Sequence, residues 1–244
     1  MQRAETPARE VLVRLIVNGH PLSHFLCSPE SLRELAVGWL FTQKLLPDIH
    51  DLRLLRVCPR SNDIEVSLGS ELRPVEEPVF ALTSGCGGGR VETGVYREAV
   101  PVCGSPLRAP QSAIRRIMGE MYAAFARHKG SAGMHCAGLC GISDSDRIAV
   151  ACDIGRHNAV DKVIGRGLLE GRDFTTSVLV TSGRISSDMM FKAIHAQIPI
   201  VASQHSVTSM AVELAEFSGI ALLGRLNRQR HDAYGKTDRL VEEP

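Results

Sequence analysis

Ser177-Val178-Leu179-Val180-Thr181 is a short β-branched run, and Ser182-Gly183-Arg184 breaks it before a helical stretch from Ser186 to Ala196. The same succession of strand, loop and helix occurs on both sides of it. Arg147 to Asp153 reads as a buried strand leading towards a helix from Asn158 to Leu169. Ile198 to Ala202 reads as a strand followed by a helix from Thr208 to Phe217, and Ile220 to Leu223 as a last strand. Strands alternating with helices of this length imply right-handed crossovers and a mostly parallel sheet, so the fold class is α/β.

In such a sheet ligands bind beyond the carboxyl ends of the strands, in the loops that open the helices. Those loops are Gly155-Arg156-His157-Asn158, Ser182-Gly183-Arg184 and Ser203-Gln204-His205-Ser206. Each offers side-chain donors and the N–H groups of a helix start, and two add an arginine fork, which is what a phosphate needs. A plainer reading has Arg156 and Arg184 pairing with Asp161 and Asp188 and merely capping their helices. After the last strand, Arg225-Leu226-Asn227-Arg228-Gln229-Arg230 is a basic run, either a solvated tail or a second contact to phosphate or guanine.

Upstream the pattern is β-rich. Val11 to Val17 and Leu22 to Cys27 flank Asn18-Gly19, a hairpin turn signal. Ser28 reads as a helix cap with Pro29 at the first position, and Leu32, Leu35, Ala36, Trp39 and Leu40 follow at helical spacing until Pro47. Leu52 to Cys58 and Asp63 to Leu68 alternate like a second strand pair around Ser61-Asn62. Prolines and glycines dominate from Leu72 to Pro110, and a helix runs from Gln111 to about His128. The division is a smaller β-rich α+β part, residues 1–105, and an α/β domain, residues 106–244.

The 244 residues carry a net charge of +1, with 44% hydrophobic and 23% charged side chains, an ordinary globular balance. Nothing in it calls for nucleic acid or a membrane surface, and no apolar run approaches the ~18 residues of a membrane span. Seven cysteines, at spacings without a disulfide ladder, point to a reducing cytoplasm.

Cys86 stands apart in Thr83-Ser84-Gly85-Cys86-Gly87-Gly88-Gly89-Arg90, where four glycines leave the sulfur unshielded and Arg90 favours its thiolate. His135-Cys136-Ala137-Gly138-Leu139-Cys140-Gly141 invites a zinc reading, but its spacing is not that of a zinc deaminase, so no metal is expected. His135 and Cys136 point to opposite faces if the segment is extended; Cys136 and Cys140 then read as small buried side chains and His135 as facing the site. Cys27, Cys58, Cys103 and Cys152 read as packing residues.

The thirteen residues from Asp153 to Gly165, Asp-Ile-Gly-Arg-His-Asn-Ala-Val-Asp-Lys-Val-Ile-Gly, resemble the signature of the FdhD family, the sulfur-carrier accessory proteins of formate dehydrogenase. The resemblance extends to the Cys86 loop, Gly133-Met134-His135, Ser182-Gly183-Arg184, Lys192-Ala193, Val207 to Val212, Leu223-Gly224 and Tyr234. It implies a sulfurtransferase that takes persulfide sulfur from a cysteine desulfurase on Cys86. It implies transfer to the molybdenum cofactor, a bis-molybdopterin guanine dinucleotide, for formate dehydrogenase. It further implies a C-terminal three-layer domain of cytidine deaminase-like fold, and a homodimer. The residues expected at the cofactor are His135, Arg156, His157, Ser182, Gly183, Arg184, Ser203, Arg225, Leu226, Asn227, Arg228, Gln229 and Arg230. A second loop cysteine, common in the family, is replaced by Gly89, which leaves either direct transfer from one persulfide or a substitute such as Cys136 or Cys140. The alternatives are a non-catalytic chaperone for the guanine dinucleotide cofactor and a nucleotide-modifying hydrolase of deaminase-like fold.

Overall fold

The computed structural model describes residues 7–70, 80–81, 91–92, 100–128, 133–143, 147–227 and 230–241. β1 (Val11–Val17) and β2 (His20–Cys27) form the expected hairpin, with Asn18 and Gly19 at φ 49° and 82°. β3 (Leu52–Val57) and β4 (Ile64–Leu68) pair antiparallel, and β4 lies parallel to β1, giving the order β2-β1-β4-β3. Alternation turns Val13, Leu15, Val17, Phe25, Ile64 and Val66 to one face, and α1 (Leu32–Thr42) covers them with Leu32, Leu35, Ala36 and Leu40. The helix starts later than Ser28-Pro29-Glu30 suggests. Ser28 is drawn into contacts 125 residues away, and Ser31 takes a left-handed φ of 54° just before Leu32.

Two short strands, β5 (Phe80–Ala81) and β6 (Val91–Glu92), pair antiparallel. Cys86 and Arg90, with the loop between Thr83 and Arg90, lie outside the described residues. β7 (Ala109–Pro110) leads into α2 (Gln111–Ala126), close to the expected helix.

The remaining strands make the second sheet. They are β8 (His135–Gly141), β9 (Ala149–Asp153), β10 (Ser177–Thr181), β11 (Ile200–Ser203), β12 (Ala221–Gly224) and β13 (Asp232–Gly235), in the order β13-β12-β11-β10-β8-β9. It is mixed, not mostly parallel: only β10–β11 and β11–β12 are parallel neighbours. β8 enters antiparallel between β9 and β10, and β13 closes the far side antiparallel to β12. β9, β10, β11 and β12 still point the same way, so their carboxyl ends share one edge.

α3 (Arg156–Leu169), α4 (Ser187–His195) and α5 (Ser209–Ser218) cover one face of this sheet, through Val160, Val163, Met190, Ile194, Leu214 and their neighbours. α2 covers the other with Ile114, Ile117, Met118 and Met121, so the sheet is the middle of three layers. β14 (Leu240–Val241) pairs with β7 at the end of the described chain. Just before it the buried Arg239 donates to four main-chain carbonyls, Gly219 (2.9 Å), Ser105 (2.6 Å), Leu107 (3.0 Å) and Cys103 (3.1 Å). Among the described residues no helix is long and apolar enough to cross a membrane.

The β-rich part docks through α1 onto α3. A Cβ on Gly38 would lie 1.8 Å from the Asp161 carbonyl oxygen, and one on Gly165 would lie 1.9 Å from that of Glu34. The two helices therefore touch backbone to backbone, which only glycine allows. Beside that crossing, the buried Lys192 ammonium sits 2.7 Å from Asp161 Oδ1, which also accepts from Thr42 Oγ1 at 2.9 Å, so α1, α3 and α4 meet at one ion pair.

Candidate functional site at the strand ends

The shared strand edge gathers the loops singled out from sequence, and hydrogen bonds lace them together. The Ser182 N–H donates to the Cys136 carbonyl (2.9 Å), and Ser182 Oγ accepts from the Cys136 N–H (2.9 Å) and lies 3.5 Å from His135 Nδ1. Ser203 Oγ donates to the Gly183 carbonyl (2.6 Å) and accepts from the His205 N–H (2.9 Å). Leu226 N–H reaches the Ser203 carbonyl and Arg225 N–H the His205 carbonyl, both at 2.9 Å. Ser182 and Ser203 thus hold the loops in register. Beside them on the same edge stand arginine and histidine side chains.

Arg156 crosses directly over Gly183: a Cβ there would sit 2.9 Å from Arg156 Cβ and 3.1 Å from its Cδ. Arg184 is exposed beside it. His135 is held below the usual imidazole range, first by burial and then by the neighbouring charges of Arg156, His205 and His157. Its imidazole is therefore neutral at pH 7, and an anion arriving among these groups favours its protonation. His135, Arg156, His157 and His205 thus lie close enough for their charges to act on His135.

His157 does not cap its own helix. Its Nε2 lies 3.6 Å from Asp188 Oδ2 in the first turn of α4, with both side chains largely buried. Asp161 is taken by Lys192. Asp161, one of the two carboxylates of the plainer reading, is thus engaged by α4.

Beneath the edge lies a polar floor that sequence reading did not find. Asp153 and Lys162, both fully buried, form an ion pair at 2.6 Å. Asp153 Oδ1 accepts from the Gly155 N–H (2.8 Å) and Asn158 Nδ2 (3.0 Å), while Oδ2 accepts from Ser28 N–H (3.1 Å) and Oγ (3.2 Å). Lys162 Nζ donates to Ser28 Oγ (2.8 Å), the Ser28 carbonyl (3.1 Å) and the Cys152 carbonyl (3.3 Å), and Arg166 donates to the Val150 carbonyl (2.8 Å). β9 is an edge strand, and its outward carbonyls are capped by these side chains. Four of the thirteen signature residues, Asp153, Gly155, Asn158 and Lys162, thus build the support, with Arg156 and His157 standing on it. The sequence signal was Asp153 closing an apolar strand and Lys162 inside apolar helical spacing, where charge is rare unless paired.

The basic run is less available than its composition suggests. Arg225 is bound to Asp232 at 2.6 Å, and Leu226 is buried in the core under α2, a correction to its place among ligand contacts. Asn227 closes a turn on Arg230, accepting from its N–H at 2.9 Å, and Arg115 Nη2 lies 3.1 Å from His231 Nδ1. Arg230 is exposed, and Arg228 and Gln229 lie outside the described residues.

Neither Cys136 nor Cys140 offers an accessible thiolate in place of Gly89. Both are fully buried between the sheet and α2, and burial pushes the Cys136 thiol up to about 12. Among the described residues, no three His, Cys, Asp or Glu side chains gather as a metal ion would require.

A three-layer α/β domain with arginine and histidine side chains along its strand edge, braced by a second β-rich unit, is the class of protein these features define. Its family is equally specific: the FdhD/NarQ family model matches residues 8–241, and the chain belongs to that family. The chain is 32% identical over 244 residues to the sulfur carrier protein FdhD of Methanothermobacter thermautotrophicus, covering 97% of this chain and 92% of the relative. It is 31% identical to that of Mycobacterium tuberculosis, covering 98% and 93%. A crystal structure described as a formate dehydrogenase accessory protein of Desulfotalea psychrophila superposes with a TM-score of 0.77 at 26% identity, over 97% of this chain and 91% of that one.

Proposed function

We propose that this protein carries sulfur to the molybdenum cofactor required by formate dehydrogenase, with Cys86 as the persulfide-bearing residue. The carrying observation is the convergence of His135, Arg156, His157 and His205 at the ends of β9, β10 and β11, within a chain of this family. A bis-molybdopterin guanine dinucleotide presents several phosphates, and an edge of positive side chains and helix starts is complementary to them. The α2, sheet and α3–α5 layering of residues 106–244 supports a cytidine deaminase-like domain, with residues 1–105 as its companion. The reading includes a cysteine desulfurase as donor, a homodimer and a cytoplasmic setting.

In the transfer, Cys86 thiolate attacks the outer sulfur of the desulfurase persulfide, the desulfurase thiolate leaves, and Cys86–S–SH results. Arg156 and Arg184 would hold the phosphates of the cofactor bound as substrate.

Incubation with a desulfurase and cysteine is expected to raise the intact mass by one sulfur, and Cys86→Ala to remove that gain. An unchanged wild-type mass beside an active desulfurase would sink the sulfur-carrier reading. It would leave the cofactor chaperone, which activates formate dehydrogenase without that thiol. For the binding edge, Gly183→Val is expected to displace Arg156 and weaken GDP binding by roughly tenfold or more, the worth of a charge-assisted hydrogen bond. Calorimetric titration with GDP checks it, with an unaltered circular dichroism spectrum as the folding control. Equal affinity in both proteins would remove Arg156 from the site.

A further inference from the structure

We infer that Cys136 and Cys152 form a cross-strand dithiol that reduces sulfur–sulfur bonds and closes into a disulfide directly behind the strand-end site. The two residues face each other in the β8–β9 register, one step inside the pair His135–Asp153. Both side chains lie on the α2 side of the sheet. Cys136 directs its main-chain groups to β10, its N–H to Ser182 Oγ and its carbonyl to the Ser182 N–H. Cys152 turns its carbonyl the other way, to Lys162 and Ser28. The two therefore occupy a non-hydrogen-bonded position of the antiparallel ladder, where Cα atoms stand ~4.5 Å apart and side chains approach most closely. That spacing falls within the range a disulfide spans, ~4.4–6.8 Å.

Accessibility sets the order of events. Cys152 is partly exposed, whereas Cys136 is fully buried, so Cys152 meets an outside reagent first. Cys152 thiolate attacks one sulfur of R–S–S–R′; R′S⁻ leaves and takes up a proton, giving Cys152–S–S–R. Cys136 then loses its proton and attacks the Cys152 sulfur, expelling RS⁻, which is protonated in turn. Two thiols are oxidised, the S–S bond accepts two electrons, and both protons leave on RSH and R′SH. Where R′ is hydrogen, the donor is a persulfide and a released product is hydrogen sulfide. The shared chemistry is an electrophilic sulfur–sulfur bond, from a soluble disulfide or from sulfane sulfur.

Burial is the largest influence on both thiols and disfavours their thiolates. Lys162 and Arg166 favour the Cys152 anion and a Ser182 hydrogen bond the Cys136 anion, against burial that lifts the thiols to about 11 and about 12. The reaction is consequently slow at neutral pH and accelerates about tenfold per pH unit below those values, with thiolate fraction. Leaving groups of such high pKa depart slowly, so the closed form persists once made.

The test uses the full chain in a Cys86→Ala background, which separates this inference from the proposed role of Cys86. Protein is exposed to oxidised glutathione, quenched in acid, unfolded in an alkylating reagent and peptide-mapped. A peptide pair joined through Cys136 and Cys152 is expected, and Cys140→Ser should not change it. Cys136→Ser should accumulate a glutathione adduct on Cys152, whereas Cys152→Ser should leave Cys136 fully alkylated. Inorganic polysulfide as the second probe should give the same cross-link with sulfide released, which distinguishes a sulfane donor from a soluble disulfide. Cys58 serves as the reactivity control, because it is partly exposed and hydrogen bonds from Ser61 hold its thiol below the usual range. Glutathione on Cys58 with Cys136 and Cys152 both fully alkylated would overturn the inference. Should Cys136→Ser fail to fold, the linked peptide in the parent protein decides alone.

Discussion

Lys162→Met is expected to lower the thermal midpoint by roughly 6–20 °C, because removing one partner of a buried ion pair costs ~3–5 kcal/mol. The substitution keeps the methylene stem and removes the ammonium. It leaves the Asp153 carboxylate fully buried with its cation gone, and takes a donor from the carbonyls of Ser28 and Cys152. Total stability of a domain is ~5–15 kcal/mol, so the loss is a large fraction of it. Adding Asp153→Asn to Lys162→Met should restore part of the midpoint, since the amide no longer needs a countercharge while still accepting from Gly155 and Asn158. Coupling of ~0.5–3 kcal/mol is the expected signature of residues in contact. Strict additivity in urea unfolding of the four proteins would show that the pair does not act as a unit.

Gly165→Ala and Gly38→Ala should each destabilise the chain by about 3 kcal/mol or more, the upper end of overpacking costs. In most helices this exchange is stabilising by ~1 kcal/mol, because alanine is the better helix former. Here the added methyl would lie 1.9 Å from the Glu34 carbonyl or 1.8 Å from that of Asp161, and backbone cannot step aside as a side chain can. Prising α1 from α3 also strains the Thr42–Asp161–Lys192 contact. Gly119→Ala in α2 is the matched control, as nothing lies within 4 Å of its new methyl, and it should gain stability. If Gly165→Ala melts at or above the parent, the helices are not packed as described.

The strands that were legible in sequence are those with uninterrupted β-branched or aliphatic runs. Ser177–Thr181 was delimited to the residue, and the hairpin at Asn18-Gly19 followed from its turn chemistry. β8 was hidden by its composition. His-Cys-Ala-Gly-Leu-Cys-Gly suggested ligands, yet its small residues are demanded by packing. A Cβ on Gly138 would meet Ile148 and Val180 at 2.9 Å. Missing the full role of β8 produced the overly parallel sheet. β13 was concealed behind the basic run that leads to it. At Ser28-Pro29-Glu30 the local signal was sound, but a distant carboxylate and ammonium outcompeted the helix for the serine.

The loops of the site were legible because a helix following a strand fixes which end of the sheet is receptive. Their division of labour was not. Ser182, Ser203 and Asn158 look like ligand donors until their partners on other strands are known. His205, within a loop already singled out, became significant only once β8 brought His135 beside it.

Arg239 carries a consequence for biosynthesis. Its guanidinium joins carbonyls at Cys103, Ser105 and Leu107, which leave the ribosome more than 130 residues earlier in the chain. Residues 103–107 therefore stay untied until translation reaches Arg239, whereas the β-rich segment, through the 125-residue span from Ser28 to Asp153, is locked once α3 has been made. Until then the nascent N-terminal sheet and its helix wait without their docking surface, a stage at which chaperone protection matters most.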